Sequence, residues 1–418
     1  SIAEIRAVSQ SAMSPGGDFV AYVVSVPRKP FVDPDGPAWS HLYVYDVTSA
    51  DSRLYVGGDV NVGSPTFSPD GSSILYLARR DGDEGRALYR IPVGGGESIR
   101  VLAHETSVGS YSLAPDGMRV AFLATDPEPG ERAELRSKGF KATAYEEDAR
   151  FSRVWVASLD GDPEALKLPL EGNVSLVRWS PADSRLVVAV APTPLIDDSY
   201  MYRRLKVVDV ASGKVVTAIE NPGKLGGVSW SPDGKRIAFV SGETINDPKE
   251  GRLMVADAET GEFAQALPAF EGHVTQTAWS DATTIVYLAG VGTETEVGRV
   301  GPTGSDRGTL VSAGDVVFGS MSLSGDASTI ALVGQSATHP QELFLMSGSG
   351  APRRVTDSNP WLSGVRLAEQ EVIRWTARDG LEIEGVLIRP LGAVEGQRYP
   401  PVYYTHLRDH ETTSLIAY

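Results

Sequence analysis

The amino-acid sequence predicts an all-β fold, a seven-bladed β-propeller built from four-stranded blades. A large apolar residue followed by Ser-Pro-Asp-Gly, or by a degenerate form of that phrase, occurs seven times along the 418 residues. Each copy leads into an apolar run and then into a second predicted hairpin. The copies lie 44 to 66 residues apart, and one propeller blade takes about 40–50 residues. The alternative architectures are a β-sandwich and an open solenoid.

The repeated phrase has the chemistry of a tight turn. Pro presets φ at the second turn position, Asp can bond back to the backbone, and Gly supplies a positive φ. We therefore place this turn between the first two strands of each blade, and we expect the apolar residue before it to pack between neighbouring blades. The seven turns begin at Ser14, Ser68, Ala114, Ser180, Ser231, Ser280 and Ser324.

The two ends of the repeat predict how the ring closes. The first strand of the first copy lies near Ala7–Met13, and the last strand of the last copy lies near Arg353–Val355. Neither end of the chain lends a strand to the other. The sequence therefore predicts a ring that is closed only by side-chain packing between blades one and seven.

Two insertions interrupt the repeat, at residues 27–40 and 125–150. The longer one contains a helix-like segment, Glu131–Lys138, and the acidic pair Glu146 and Glu147. Long loops between rigid strands are common binding sites. One interpretation is that Glu146 and Glu147 bind a cation such as the amino group of a peptide. The other is that they belong to a solvated acidic loop.

The segment after the repeats adds specific motifs. Residues 371–390 read EVIRWTARDGLEIEGVLIRP and predict a hairpin around Asp379-Gly380, and RYPPVYYTH follows at residues 398–406. Together with the seven repeats, this resembles the prolyl oligopeptidase family of serine peptidases, closest to its acylaminoacyl-peptidase and dipeptidyl-peptidase-like branch. The resemblance implies a propeller at residues 1–365 and the start of an α/β-hydrolase domain at 366–418. It also implies an amine-binding role for Glu146 and Glu147, which follow Tyr145 as in a Tyr-Glu-Glu motif of dipeptidyl-peptidase relatives.

The catalytic residues of that family have no counterpart here. The family has Gly-Gly-Pro after a strand-ending His, whereas His406 is followed by Leu-Arg-Asp. The nucleophile would sit in Gly-x-Ser-x-Gly, and the nearest approach is Gly227–Ser231 in a predicted blade strand. We therefore predict a truncated hydrolase domain, assign no catalytic residue, and expect no peptidase activity from this chain alone.

Composition excludes several functional classes. The net charge of −16 argues against nucleic-acid binding, which needs clustered Lys and Arg. The chain has no cysteine, no stretch of 18 apolar residues, and no convincing metal or cofactor motif. We expect no membrane segment, no metal and no cofactor. Residues 1–6 lack the features of a signal peptide, which predicts a cytoplasmic protein unless a leader has been removed.

The resemblance implies a propeller that gates access of short or N-blocked peptides to a serine peptidase. The alternative is a non-enzymatic TolB-type propeller that binds peptides or proteins, because such propellers share the repeated phrase. Apolar strands predicted at 386–388 and 402–404 would have no sheet to join. Self-association through these edges is one expectation, beside disorder or packing on the propeller.

Overall fold

The computed structural model describes residues 2–143, 146–160, 164–394, 396–400 and 402. The chain divides into two compact units, Ser1–Ser363 and Gly364–Tyr418. In the described residues, the first unit holds seven four-stranded sheets, and the second holds one two-stranded sheet. All strand pairs are antiparallel, and in every blade each strand pairs with the one before it in sequence.

The seven sheets follow the chain without exchange of strands. Blades one to three contain β1 (Ala7–Met13), β2 (Phe19–Val26), β3 (Trp39–Asp46), β4 (Asp51–Val56), β5 (Gly63–Phe67), β6 (Ser73–Ala78), β7 (Ala87–Pro92), β8 (Ile99–Leu102), β9 (Val108–Leu113), β10 (Arg119–Thr125), β11 (Ser152–Ser158) and β12 (Leu166–Lys167). Blades four and five contain β13 (Asn173–Trp179), β14 (Arg185–Ala191), β15 (Arg204–Asp209), β16 (Val215–Ile219), β17 (Leu225–Trp230), β18 (Arg236–Ser241), β19 (Arg252–Asp257) and β20 (Phe263–Gln265). Blades six and seven contain β21 (His273–Asp281), β22 (Thr284–Val291), β23 (Glu294–Val300), β24 (Gly308–Val311), β25 (Val317–Leu323), β26 (Thr329–Ser336), β27 (His339–Ser347) and β28 (Arg353–Arg354). This architecture confirms the predicted seven-bladed propeller.

Short helices occur only outside the blades in the described residues. α1 (Gly130–Ser137) lies in the longest insertion and confirms the helix expected there, and α2 (Ile196–Met201) lies between β14 and β15. Two 3-10 helices, Ile2–Glu4 and Pro360–Gly364, flank the blades in sequence.

The repeated phrase forms the predicted turn between the first two strands. In the fifth copy, the hydroxyl of Ser231 donates to the carboxylate of Asp233 (2.6 Å) and accepts from the backbone N–H of Arg236 (2.9 Å). Gly234 has φ +68°, and a Cβ there would lie 2.9 Å from the Cβ of Ala182 in the preceding turn. Glycine is therefore needed both for the backbone conformation and for the close approach of neighbouring turns.

The core lies between the blades. Seven clusters of buried apolar residues each combine the facing sides of two adjacent blades, including blades seven and one. Phe67 packs between blades one and two, Trp230 between blades four and five, and Met13 between blades seven and one. The large residue that precedes each turn thus packs where the sequence predicted.

The junction of blades seven and one contains hydrogen bonds as well as packing. The side chain of Asn359 accepts from the N–H of Arg6 (2.8 Å) and donates to its carbonyl (2.7 Å). The N–H of Met13 donates to the hydroxyl of Ser322 (2.9 Å), and the N–H of Gly325 donates to the carbonyl of Pro15 (2.8 Å). The expectation of closure by side-chain packing alone was therefore wrong, because it overlooked polar groups of the strand ends and turns.

The second unit contains the predicted hairpin. β29 (Gln370–Thr376) pairs with β30 (Glu382–Ile388), and Gly380 in the turn has φ +91°. Val386 and Ile388 are 50% and 58% exposed, as expected for a strand without a further sheet partner. The further strand expected at 402–404, residues 405–418 with His406, and Tyr145 lie outside the described residues, apart from Val402.

Candidate functional site

The propeller has two unlike faces. Four antiparallel strands return the chain to the face where a blade begins, so every blade starts at the same face. We call this the exit face, because the chain leaves the last blade there. Asn359, which follows β28, contacts Arg6, which precedes β1. The connections between second and third strands also lie on the exit face. The opposite face, the turn face, carries the seven repeated turns and the connections between third and fourth strands.

The connections of eight or more residues all lie on the exit face. Those between the second and third strands run through residues 27–38, 79–86, 126–151, 192–203 and 242–251 in the first five blades. In blades six and seven they shrink to two residues each. α1 and α2 both lie in these connections. The elaborated loops of the propeller therefore surround the same end of the axis, which is the arrangement expected of a binding face.

Ion pairs organise the longest of these loops. The carboxylate of Asp126 accepts from Arg153 (2.8 Å) and Lys167 (2.8 Å), and these bonds lower its pKa although burial by itself acts to raise it. Arg132 on α1 pairs with Asp148 (2.6 Å). The Asp126 contacts hold the start of the insertion against the third blade, and the Arg132–Asp148 pair joins α1 to a later part of the same loop.

Glu146 and Glu147 lie in this loop, on the exit face. Both are exposed, and neither takes part in the loop's ion pairs among the described residues. Glu146 has φ +66°, a left-handed conformation that is uncommon for residues other than glycine. Among the described residues, no third charged group pairs with these two glutamates to indicate a ligand. Their amine-binding role remains a prediction.

The first strand of every blade faces the propeller axis. First strands of neighbouring blades contact each other, as β1 does with β5 and β25, and β21 does with β17 and β25. Their exposed residues are mainly small and uncharged, and they include Ser9, Gln10, Ser64, Thr66, Gly109, Ser175 and Gly319. We call the solvent-accessible space between the seven first strands the axial channel.

One cation interrupts this neutral lining. Arg178 on β13 is exposed, and it is the one lysine or arginine in the seven first strands, all of which are described. The sequence analysis did not identify it. A signal was present, because the residue before the large apolar residue is small in the other six copies of the repeat and arginine in the fourth.

A second polar cluster lies beside a cavity of about 240 Å³ between the loops after β6 and β8. Asp83, 9% exposed, accepts from the hydroxyl of Tyr89 (2.6 Å), the N–H of Arg80 (2.8 Å) and the guanidinium of Arg100 (2.7 Å). Burial and the bond to Asp83 raise the pKa of Tyr89 to about 12. These interactions use both oxygens of Asp83, so the cluster is a structural network of the second blade.

Metal and membrane features are not found in the part of the chain that the structure describes. No group of three or more His, Asp or Glu side chains there has the arrangement of a metal site. No helix there has the length and apolar character needed to cross a bilayer.

Solved structures resemble this propeller. An acylaminoacyl peptidase in complex with Z-Gly-Gly-Phe-chloromethyl ketone superposes with a TM-score of 0.73 at 16% identity, over 96% of this chain and 60% of that one. The uncomplexed Pyrococcus horikoshii acylaminoacyl peptidase gives 0.71 at 15% identity, over 93% and 59%. This chain therefore spans about 60% of the length of these peptidases.

A third similar structure is a propeller by itself. The β-propeller domain of the Trilobed protease from Pyrococcus furiosus, described as having an open velcro topology, gives a TM-score of 0.60 at 15% identity, over 86% of this chain and 98% of that one. No protein-family model and no curated protein sequence matches this chain. The similarity is thus one of fold, to propeller domains of prolyl oligopeptidase-family peptidases.

Proposed function

We propose that this propeller controls the access of short or N-blocked peptides to the hydrolase domain of a serine peptidase of the prolyl oligopeptidase family. The observation that carries the proposal is a solvent-accessible axial channel lined by small neutral side chains, with the long loops gathered at one of its ends. Selection by size requires that this channel admit an extended peptide and exclude a folded protein.

The way the ring closes supports this function. Propellers that share strands between their two ends are fixed shut, whereas here the first and last blades meet through packing and a few hydrogen bonds. Such a junction can open at a lower free-energy cost than a shared sheet. Passage through the channel and transient opening of this junction are both compatible with selection by size.

The second unit supports the peptidase assignment. It contains a hairpin around Asp379-Gly380, where the family resemblance implies the opening strands of the hydrolase domain. The proposal assigns residues 366–418 to the beginning of that domain. Reading the coding sequence from codon 400 onward, in all three frames, tests this assignment: Gly-Gly-Pro and Gly-x-Ser-x-Gly motifs support it, and their absence contradicts it.

Peptide binding by this chain tests the proposed gating. The probe is Z-Gly-Gly-Phe with a free carboxylate, titrated calorimetrically into the chain. The same three residues placed inside a surface loop of a folded carrier protein serve as the size control. We expect binding of the free peptide and none of the carrier. Equal binding of both would contradict size selection.

The alternative function is a non-enzymatic TolB-type propeller. The repeated turns favour it as much as they favour a peptidase propeller, whereas the hairpin of the second unit does not. Under this alternative the carrier protein binds through the exit-face loops. Cytoplasmic location and peptides as partners remain predictions under either function.

A further inference from the structure

The repeat provides an internal comparison for Arg178. The residue that precedes the large apolar residue at the end of each first strand occupies the same place in every blade. In chain order these residues are Ala12, Thr66, Ser112, Arg178, Ser229, Ala278 and Ser322. Six are small, so blade packing at this place requires no long cationic side chain.

The small residues show where a side chain at this position points. The hydroxyl of Ser112 accepts from the N–H of Trp179 in the next blade (2.9 Å), and that of Ser322 accepts from Met13 (2.9 Å). Ser229 likewise contacts Thr277 of the following blade (2.6 Å). A serine hydroxyl already reaches the neighbouring first strand. The side chain of Arg178 starts from the same place on the first strand, is exposed, and donates to the carbonyl of Val177 on its own strand (3.0 Å), which places its guanidinium beside the axial channel near the turn face.

The charge of Arg178 has no counter-ion among the described residues. Its hydrogen bond is to the carbonyl of Val177 (3.0 Å), and no carboxylate among the described residues lies within ion-pair distance of it. The acidic residue of the first strands, Asp281, ends β21 and is bonded to Thr283 (2.7 Å). Burial lowers the pKa of the Arg178 guanidinium, which means that surrounding protein replaces part of its hydration although the side chain is exposed.

A partly desolvated guanidinium without a counter-ion is favourable for an anion. Its planar N–H groups match the two oxygens of a carboxylate and form charge-assisted hydrogen bonds with them. We propose that Arg178 binds a carboxylate of a peptide inside the axial channel, so that blade four fixes the direction in which the peptide lies. This inference rests on the proposed function, because it names the group of the peptide that the channel recognises.

Two kinds of peptide carboxylate fit this chemistry, the C-terminal group and an acidic side chain. Four peptides separate them: Z-Gly-Gly-Phe acid, Z-Gly-Gly-Phe amide, Z-Gly-Gly-Glu amide and Z-Gly-Gly-Gln amide. Each is titrated into the wild-type chain, into Arg178→Gln and into Arg299→Gln. Arg299 lies on β23, a third strand, and is exposed, so its replacement removes the same charge away from the axis. Arg178→Lys tests whether a cation restores part of the affinity.

We expect the acid to bind Arg178→Gln about tenfold more weakly than the wild type, which corresponds to the loss of a charge-assisted hydrogen bond. The amide should bind both proteins alike, and Arg299→Gln should behave as the wild type. A matching loss for the Glu amide, and not for the Gln amide, would extend the site to acidic side chains. Thermal unfolding of each variant verifies that the blades remain folded.

The failures of the two proposals are distinguishable. If Arg178→Gln binds the acid and the Glu amide as tightly as the wild type does, the channel binds peptides but the role of Arg178 is wrong. If no peptide binds the wild type, the proposed function and this inference both fail. Loss of affinity for all peptides in Arg178→Gln, amides included, would also contradict carboxylate recognition.

Discussion

Asn359 should stabilise the closed ring, because it joins the segment after the last blade to the segment before the first. Its side chain is 2% exposed and forms two hydrogen bonds with the backbone of Arg6, at 2.8 and 2.7 Å. Each hydrogen bond contributes about 0.5–1.5 kcal/mol net. Because Arg6 is exposed and water can replace part of the loss, we expect Asn359→Ala to lower the free energy of unfolding by about 1–2 kcal/mol.

Asn359→Ala should lower the free energy of unfolding of the whole propeller and should also make the junction of blades seven and one open more often. Urea denaturation measures the free energy of unfolding, and amide hydrogen exchange locates the opening. Faster exchange is expected in β1 and in β25–β28. Asn221→Ala provides a matched comparison, since Asn221 is 1% exposed and bonds to Leu205, Arg203 and Gly223 within blade four and the link that follows it. Asn221→Ala should lower the free energy of unfolding without a selective rise of amide exchange at the junction of blades seven and one.

An exposed asparagine supplies the negative control. Asn246 lies in the loop between β18 and β19, and Asn246→Ala should change the free energy of unfolding by less than about 0.5 kcal/mol. The reasoning would be refuted if Asn359→Ala behaved like Asn246→Ala. It would also be refuted if exchange rose equally in all seven blades.

Three further predictions concern the turns and the exit face. Gly234→Ala should destabilise the protein by about 1 kcal/mol or more, measured by urea unfolding, because φ is +68° and the new Cβ would lie 2.9 Å from Ala182. Asp70 has a pKa lowered to about 2 by hydrogen bonds from Ser68 and Ser72. Its stabilisation is therefore present above about pH 4 and is lost as the pH falls towards 2. Asp70→Asn should lower the free energy of unfolding at pH 7. The gap in that free energy between variant and wild type should narrow as the pH falls from about 4 towards 2. A gap that stays constant over this pH range would contradict the prediction. If Glu146 and Glu147 bind an amino group, replacing both with Gln should weaken the binding of Gly-Gly-Phe with a free amino terminus and leave Z-Gly-Gly-Phe unaffected in titrations.

The repeat made the propeller predictable because its turn chemistry is local. Ser231, Asp233 and Gly234 form, within six residues, the hydrogen bonds and the positive φ that the sequence indicates. The bounds of β1 could be placed for the same reason, since the turn that follows it fixes where the strand ends.

Long-range contacts could not be predicted in the same way. Asn359 and Arg6 are 353 positions apart, and nothing in the residues around Asn359 indicates its partner. Arg178 was overlooked for a different reason. It can be recognised as a candidate binding residue when equivalent positions of the seven blades are compared and the first strands are known to face the axis. The acidic pair Glu146 and Glu147 was visible in sequence, but an exposed loop does not specify a ligand.

The central claim is that short peptides bind inside the axial channel. A photoreactive analogue of Z-Gly-Gly-Phe, with benzoylphenylalanine as its third residue, tests this most directly when the labelled residues are mapped by mass spectrometry. The account predicts labels on first strands, particularly β13 and β17 near Arg178, that unlabelled Z-Gly-Gly-Phe suppresses. Suppressible labels confined to fourth strands such as β4, β8 or β16, at the far edge of each blade, would contradict it.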